Sequence, residues 1–337
     1  MLNEGFKNVK LMAYKSWWRR IQLFWGGVLM VALIQSCTGS SNQLPASSPS
    51  APESSNCHMV RHALGKTCVP NQPQRVITLS VPSLGDAIAL GVKPIATVVY
   101  FDEPPPYLAE HLTSIQVLGK EEQPSLEKIV ALKPDLIIGI KYSTEAIYDQ
   151  LAQIAPTVAD DWEGFPSWRQ HVDFVANVLG KTDSAQQVWN RYNQRIESLK
   201  VALENSQKNL EVSFVHTCCG TIDLDLKNSF NGSIMADAEL RRPPAQAVSV
   251  SGGIVKLSEE RLMDIDGDVL FVATDGPEAA QTVTKLKQNP LWQKLRAVQS
   301  DRVYSVNYPT WRGGNPLAAD AVIDDLFKYL VEDKQPA

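Results

Sequence analysis

Ser125-Leu126-Glu127-Lys128-Ile129-Val130-Ala131-Leu132-Lys133-Pro134-Asp135-Leu136-Ile137-Ile138 and Ser258-Glu259-Glu260-Arg261-Leu262-Met263-Asp264-Ile265-Asp266-Gly267-Asp268-Val269-Leu270-Phe271 are two statements of one pattern. Ser258, Glu260, Leu262, Ile265 and Asp268 each stand 133 positions (258 − 125) after Ser125, Glu127, Ile129, Leu132 and Asp135. Each copy opens on a serine able to cap a helix, with a glutamate two places on. A short helix, a breaker, an aspartate and an apolar run typical of a buried parallel strand follow. One such helix–strand unit in each half predicts two similar α/β lobes. Two lobes enclose a cleft, and equivalent glutamates at exposed helix starts mark a docking face.

The amino-terminal end sets the compartment. Lys15, Arg19 and Arg20 precede an apolar stretch from Ile21 to Ile34, short of the roughly 20 residues that a membrane span needs. The stretch ends at Leu33-Ile34-Gln35-Ser36-Cys37, which resembles a bacterial lipoprotein signal, with Cys37 as the lipidated first residue of the mature chain. Gln35 departs from the small or apolar residue usual before Ser36, and an uncleaved anchor is the alternative. Met12 competes with Met1 as the start. Residues 1–36 are therefore expected to be a signal peptide and 37–56 a flexible tether, since Thr38–Glu53 is rich in Ser, Pro and Asn. Acylated Cys37 would hold the protein to a lipid bilayer of the bacterial cell envelope, at the periplasm or the outer face of the cytoplasmic membrane.

About 280 residues remain, enough for two medium lobes with cores of their own. A net charge of −5 and the lack of a dense Lys/Arg tract argue against a nucleic-acid partner. Disulfides are permitted in an oxidising compartment. Cys57 and Cys68 flank a segment whose turn is placed at Leu64-Gly65-Lys66. In a regular hairpin about that turn Cys68 faces residue 61 or 62, so a Cys57–Cys68 bridge requires Cys57 to curl back, and the spacing leaves it open.

From Pro70 onward strands and helices alternate, as in a parallel sheet covered on both faces. Expected strands are Arg75–Leu79, Pro94–Tyr100, Val117–Leu118, Leu136–Ile140, Thr157–Val158, Val212–Val215, residues 269–273 and Arg302–Val306. Expected helices include Ser83–Leu90, capped by Ser83, then Thr144–Ile154, Leu286–Leu295 and Pro316–Leu330. From Asp183 to about Glu204 apolar residues recur in steps of three or four: Ala185, Val188, Trp189, Tyr192, Ile196, Leu199, Leu203. No Gly or Pro interrupts that run, which predicts a rod of roughly 30 Å that stiffens the joint between lobes.

Several motifs together resemble one family. They are Pro73-Gln74-Arg75-Val76-Ile77, Leu126–Ile137, Asn289-Pro290-Leu291-Trp292, Leu295-Arg296-Ala297-Val298, Arg302-Val303-Tyr304 and Gly314-Asn315-Pro316. Over Val60 to Leu330 the chain resembles the iron-siderophore and vitamin B12 class of substrate-binding proteins of ABC importers. The lead segment Val60–Thr67 resembles the ferric-siderophore branch. The resemblance implies an α/β class III fold: two Rossmann-like lobes with central parallel sheets, joined by one long rigid helix. The expected division is an N-terminal lobe over 57–182, a connecting helix over 183–207 and a C-terminal lobe over 208–337. It further implies a monomer that holds a ferric siderophore in the cleft, with no cofactor, and delivers it to an ABC permease dimer and its ATPase. Glu127 and Glu260 match the positions whose carboxylates meet permease arginines, with Glu259 as a substitute for the second.

A chelated ferric siderophore needs aromatic walls and cations placed for its oxygens. Candidates lie at the carboxyl ends of expected strands. They are Tyr100, Tyr142 beside Lys141, Trp162 with Trp168, Arg241, Arg242, Trp311 and Arg312. As a group they favour an anionic chelate of hydroxamate or citrate type over neutral cobalamin; cobalamin, haem or a bare metal ion are the alternatives. His58 and His62 do not share a helix face, and His111, His171 and His216 are scattered, so no metal site is assigned. Cys218 and Cys219 are read as two free thiols or as one pairing elsewhere, with a vicinal disulfide and a thiol oxidoreductase as the remote alternative. Gly65-Lys66-Thr67 and Gly180-Lys181-Thr182 lack the glycine of a phosphate loop, having Val60 and Val175 in its place. No enzyme activity is expected.

Overall fold

The computed structural model describes residues 56–100, 104–162, 164–206, 209–218 and 220–332. The expected signal peptide, nearly all of the tether, lipidated Cys37, the two candidate starts and Cys219 lie outside them. The first described element is an antiparallel hairpin of β1 (Cys57–His62) and β2 (Gly65–Pro70). Its turn is Ala63-Leu64 rather than Leu64-Gly65-Lys66, because His62 pairs with Gly65. That shift puts Cys68 opposite Met59 and brings Cys57 within reach as its diagonal neighbour. Cys57 and Cys68 are disulfide-bonded with their Cα atoms 5.5 Å apart, and no curl of the chain is needed.

The N-terminal lobe is built on a six-stranded sheet. Its strands are β3 (Val76–Thr78), β4 (Ala96–Val99), β5 (Gln116–Lys120), β6 (Gln123–Pro124), β7 (Leu136–Ile140) and β8 (Thr157–Asp160), in the order β6-β5-β4-β3-β7-β8. Every pair is parallel except β5 with β6 at the edge. All five residues of β7 are buried, as an apolar run covered on both faces must be. The first helix runs Val81–Ala89, and its cap is Ser80 rather than Ser83: Ser80 Oγ accepts the Ser83 N–H, and Pro82 occupies the first turn. Proline is tolerated there because it has no N–H to lose at a position where none is bonded.

The C-terminal lobe is less regular. Its sheet holds β9 (Val212–Cys218), β10 (Thr221–Asp225), β11 (Ile254–Lys256), β12 (Val269–Thr274) and β13 (Val303–Asn307), in the order β11-β10-β9-β12-β13. Only β9, β12 and β13 are parallel; β10 and β11 pair antiparallel. The expected helix Leu286–Leu295 is displaced. A helix runs Gly276–Gln288, and only a single turn, Trp292–Lys294, follows Asn289-Pro290. The proline biases Asn289 to extended backbone and stops the helix.

Thr182–Ser206 forms one continuous helix of 25 residues, about 37 Å long. Its apolar stripe is divided between two cores. Ala185 and Val188 pack with Val175, Val178 and Leu136 of the first lobe. Tyr192, Ile196, Leu199 and Leu203 pack with Phe214, Phe230 and Phe271 of the second. Arg195 pairs with Asp320 and Asp324 on the closing helix Pro316–Phe327, whose cap is Asn315.

Candidate functional site

Strands β3, β4 and β7 deliver the first wall of a cavity at their carboxyl ends, and β13 delivers the second. The cavity measures about 390 Å³ and is lined from the N-terminal half by Tyr100, Glu121, Tyr142, Trp162 and Phe165 and from the other half by Tyr308 and Arg312. This is a volume typical of small-molecule sites, and five aromatic rings contribute to its walls. Tyr142 is 82 % exposed at the rim.

Arg312 anchors the second wall. Its guanidinium lies over the Phe165 ring at 4.5 Å. Its Nη1 donates to His216 Nε2 at 2.8 Å, while His216 Nδ1–H donates to Asp225 Oδ2 at 2.5 Å. Asp225 is fully buried. Burial pushes its carboxyl up, but Arg312, His216 and Arg242 outweigh that and hold it below its ordinary value. Arg242 Nη2 donates to the Asp225 carbonyl at 2.8 Å and also to Gln246 Oε1. Burial lowers the Arg242 guanidinium to about 10. Asp223 Oδ2 adds a further carboxylate 3.6 Å from His216 Nε2. Arg312 is thus matched by a carboxylate before any ligand arrives, and Arg242 is held by the Asp225 carbonyl and Gln246.

Glu121 dominates the first wall. It is 8 % exposed, and burial raises its carboxyl to about 7 although the Val81 N–H and the Ser143 hydroxyl donate to it. Behind the wall runs a buried string: Ser83 Oγ lies 3.0 Å from His171 Nε2, and His171 Nδ1 lies 2.7 Å from Asp160 Oδ2. Ser83 has no exposed surface, so the string holds the first helix, β8 and the helix Trp168–Leu179 together. Trp162 stands edge-on to His171 at 5.1 Å, which fixes the indole at the cavity. Gly314, at φ 63, lets it approach the opposite half, where an added Cβ would meet the indole at 3.0 Å.

Of the residues singled out from sequence, Tyr100, Tyr142, Trp162 and Arg312 come together here. Three do not. Trp311 is fully buried, stacked on Phe214 at 5.1 Å, and its Nε1–H donates to Asp325. It belongs to the second core because the short helix Tyr308–Trp311 turns successive side chains to different sides. Arg241 points away from the cavity to Glu211, and Arg242 is sealed behind Asp225. Trp168 is core as well. Glu121, Phe165 and Tyr308 were missed. Tyr308 directly follows β13 and the strand-end rule would have found it, whereas Glu121-Glu122 reads in sequence as an ordinary polar turn.

Glu127 and Glu260 are exposed at the starts of their helices. The helix Leu126–Leu132 is capped by Ser125 Oγ, which accepts the Lys128 N–H. Glu259–Ile265 is instead a 3-10 turn whose Ser258 makes no such bond to the backbone. Its hydroxyl acts on Glu260, whose carboxyl is held below its usual value by its own backbone N–H and then by Ser258. Cys218 is disulfide-bonded, with its partner outside the described residues, so the expectation of two free thiols is withdrawn. Among the described residues no group of three or more His, Cys, Asp or Glu side chains could hold a metal ion, and no helix is long and apolar enough to cross a membrane.

Comparison with known proteins bears on the same region. The family described as periplasmic binding protein matches residues 76–308. The probable siderophore-binding lipoprotein YfiY of Bacillus subtilis is 31% identical over 330 residues, covering 94% of this chain and 99% of the relative. The Fe(3+) dicitrate-binding periplasmic protein FecB of Escherichia coli is 30% identical over 272 residues, covering 79% of this chain and 88% of its own. Among solved structures, Staphylococcus aureus SirA complexed with staphyloferrin B superposes with a TM-score of 0.72 at 28% identity, covering 81% of this chain and 98% of that one.

Proposed function

The chain belongs to the periplasmic binding protein family, and from that premise we propose that it captures a ferric siderophore between its lobes and delivers it to an ABC importer. The observation that carries this reading is the aromatic cavity shared by the two halves, with Tyr100, Tyr142, Trp162 and Phe165 facing Tyr308 and Arg312. Aromatic rings cover the apolar faces of a chelate, and a guanidinium donates to oxygens that wrap the metal. Binding and release need no covalent step. Glu127 and Glu260, exposed at the start of a helical turn in each lobe, are the proposed contacts to permease cations. Acylated Cys37 is the proposed tether to the envelope, and the ATPase acts through the permease rather than on this chain.

The test is quenching of tryptophan fluorescence of the full chain in detergent. The panel comprises ferric chelates, their iron-free forms, cobalamin, haem, and free Fe³⁺ and Zn²⁺. Saturable binding of one ferric chelate with a Kd of about 1 μM or below, absent for its iron-free form, is the expected result. Binding of free ions alone, or of none of the panel, overturns it.

A further inference from the structure

The charges around the cavity do not favour an anionic ligand. Arg312 approaches the Asp225 carboxylate at 3.5 Å within its own wall, and His216 beside it contacts Asp225 at 2.5 Å and Asp223 at 3.6 Å, while Arg242 is buried behind them on the Asp225 carbonyl and Gln246. Among the described lining residues the one carboxylate is Glu121, which faces Arg312 from the opposite lobe. Beyond it, burial and then the negative charges of Glu122, Glu121 and Asp275 raise the Tyr100 hydroxyl, and Asp275 acts on Tyr308 as well, so carboxylates surround the mouth from both halves. Two lysines adjoin these residues and make exposed contacts of their own. Lys141 pairs with Asp161 at 3.9 Å, and Lys120 donates to the Tyr100 carbonyl at 3.5 Å. Both are solvent-exposed pairs, which salt screens readily.

Three singly charged hydroxamates cancel the charge of Fe³⁺, whereas catecholate and citrate ligand sets leave the chelate anionic. Above about pH 7, where Glu121 is ionised, an anionic chelate seated beside it would lose hydration and meet a like charge in a partly desolvated space. We propose that the cleft selects a ferric chelate with no net negative charge, of the trihydroxamate class, which offers acceptor oxygens to Arg312 and a hydrogen-bond donor to Glu121. Glu121 is the specificity residue that turns anionic chelates away. This inference rests on the siderophore-binding function proposed above and narrows its ligand.

The experiment is a set of fluorescence titrations of the full chain in detergent, at about pH 8 where Glu121 is ionised, with a neutral ferric trihydroxamate, a ferric tricatecholate and ferric citrate, at low and high salt. The trihydroxamate is expected to bind about tenfold or more tighter than either anion. That preference should shrink at high salt, and Glu121→Gln should narrow it by about tenfold. A wild-type chain that binds the tricatecholate or citrate as tightly as the trihydroxamate overturns the charge selection and leaves siderophore capture standing. A preference that Glu121→Gln leaves unchanged removes the role given to Glu121. The wild-type ratio is read without any variant, so a misfolded Glu121→Gln would not rescue the proposal. If no ferric chelate binds saturably, the siderophore reading falls and this inference with it.

Discussion

The two walls of the cleft hold charge in opposite ways. On the C-terminal wall Arg312 is embedded in a closed set with His216, Asp225 and Arg242. On the N-terminal wall Glu121 receives only neutral donors, and it responds by holding its proton up to about pH 7. A charged side chain in a pocket is therefore not yet a charged pocket. What a ligand meets depends on what that side chain already binds.

Four substitutions would break or sharpen this contrast. Trp311→Ala strikes the support of the C-terminal wall and should have the largest effect, about 4 kcal/mol of stability, because it opens a cavity beside Phe214 and Phe271 and leaves Asp325 without its donor. Denaturant unfolding would show it, and a loss under about 1 kcal/mol would place Trp311 outside the core. Arg312→Met leaves Asp225 buried without its principal cation and should cost about 3 kcal/mol in the same measurement. A stability near wild type would mean that His216 and Arg242 suffice.

On the N-terminal wall the effect follows pH. The Glu121 carboxyl titrates at about 7 in the folded chain against an ordinary 4.5, so between those values the folded state binds more protons than the unfolded one. Stability should therefore fall as pH rises from about 4.5 to 7, by on the order of 3 kcal/mol from this group. Glu121→Gln should match wild type near pH 4 and exceed it by a similar amount at pH 8. Thermal melts at the two pH values decide the matter, and equal differences at both would discard the buried-carboxyl account. The smallest stability change belongs to Trp162→Ala, a partly buried aromatic of the pocket at the margin of the second core. Chelate affinity should drop by roughly 2 kcal/mol, about 30-fold, while stability moves much less than for Trp311→Ala. Affinity unchanged to within a factor of about two would remove Trp162 from the ligand contacts.

The fold was legible where a pattern is local and repeated. The stripe from Ala185 to Leu203 has helical spacing, and all of it except Trp189 is buried. The run Leu136–Ile140 has no polar residue and is buried along its whole length between β3 and β8. The paired repeats were legible as units but not as equals, since Ser125 caps the backbone and Ser258 does not. The hairpin register differs from the expected one by two or three residues, with Cys68 opposite Met59 instead of residue 61 or 62, because the turn at Ala63-Leu64 carries neither Gly nor Asn to announce it. At the site, residues just after strands were found when their type stood out, as Trp162 and Arg312 did. Arg242 and Trp311 stood out equally and point elsewhere.

Sequence by itself determined the two α/β lobes, the rigid helix between them and the strand ends at which a ligand would sit. Those follow from periodicity and breakers, which act over a few residues at a time. Only the tertiary structure decided the electrostatics of the cleft. Glu121 and Arg312 are 191 positions apart (312 − 121), and His216 and Asp225 belong to a third stretch of chain. Whether a carboxyl is buried, and whether a guanidinium is already paired, are properties of contacts that no spacing along the chain records.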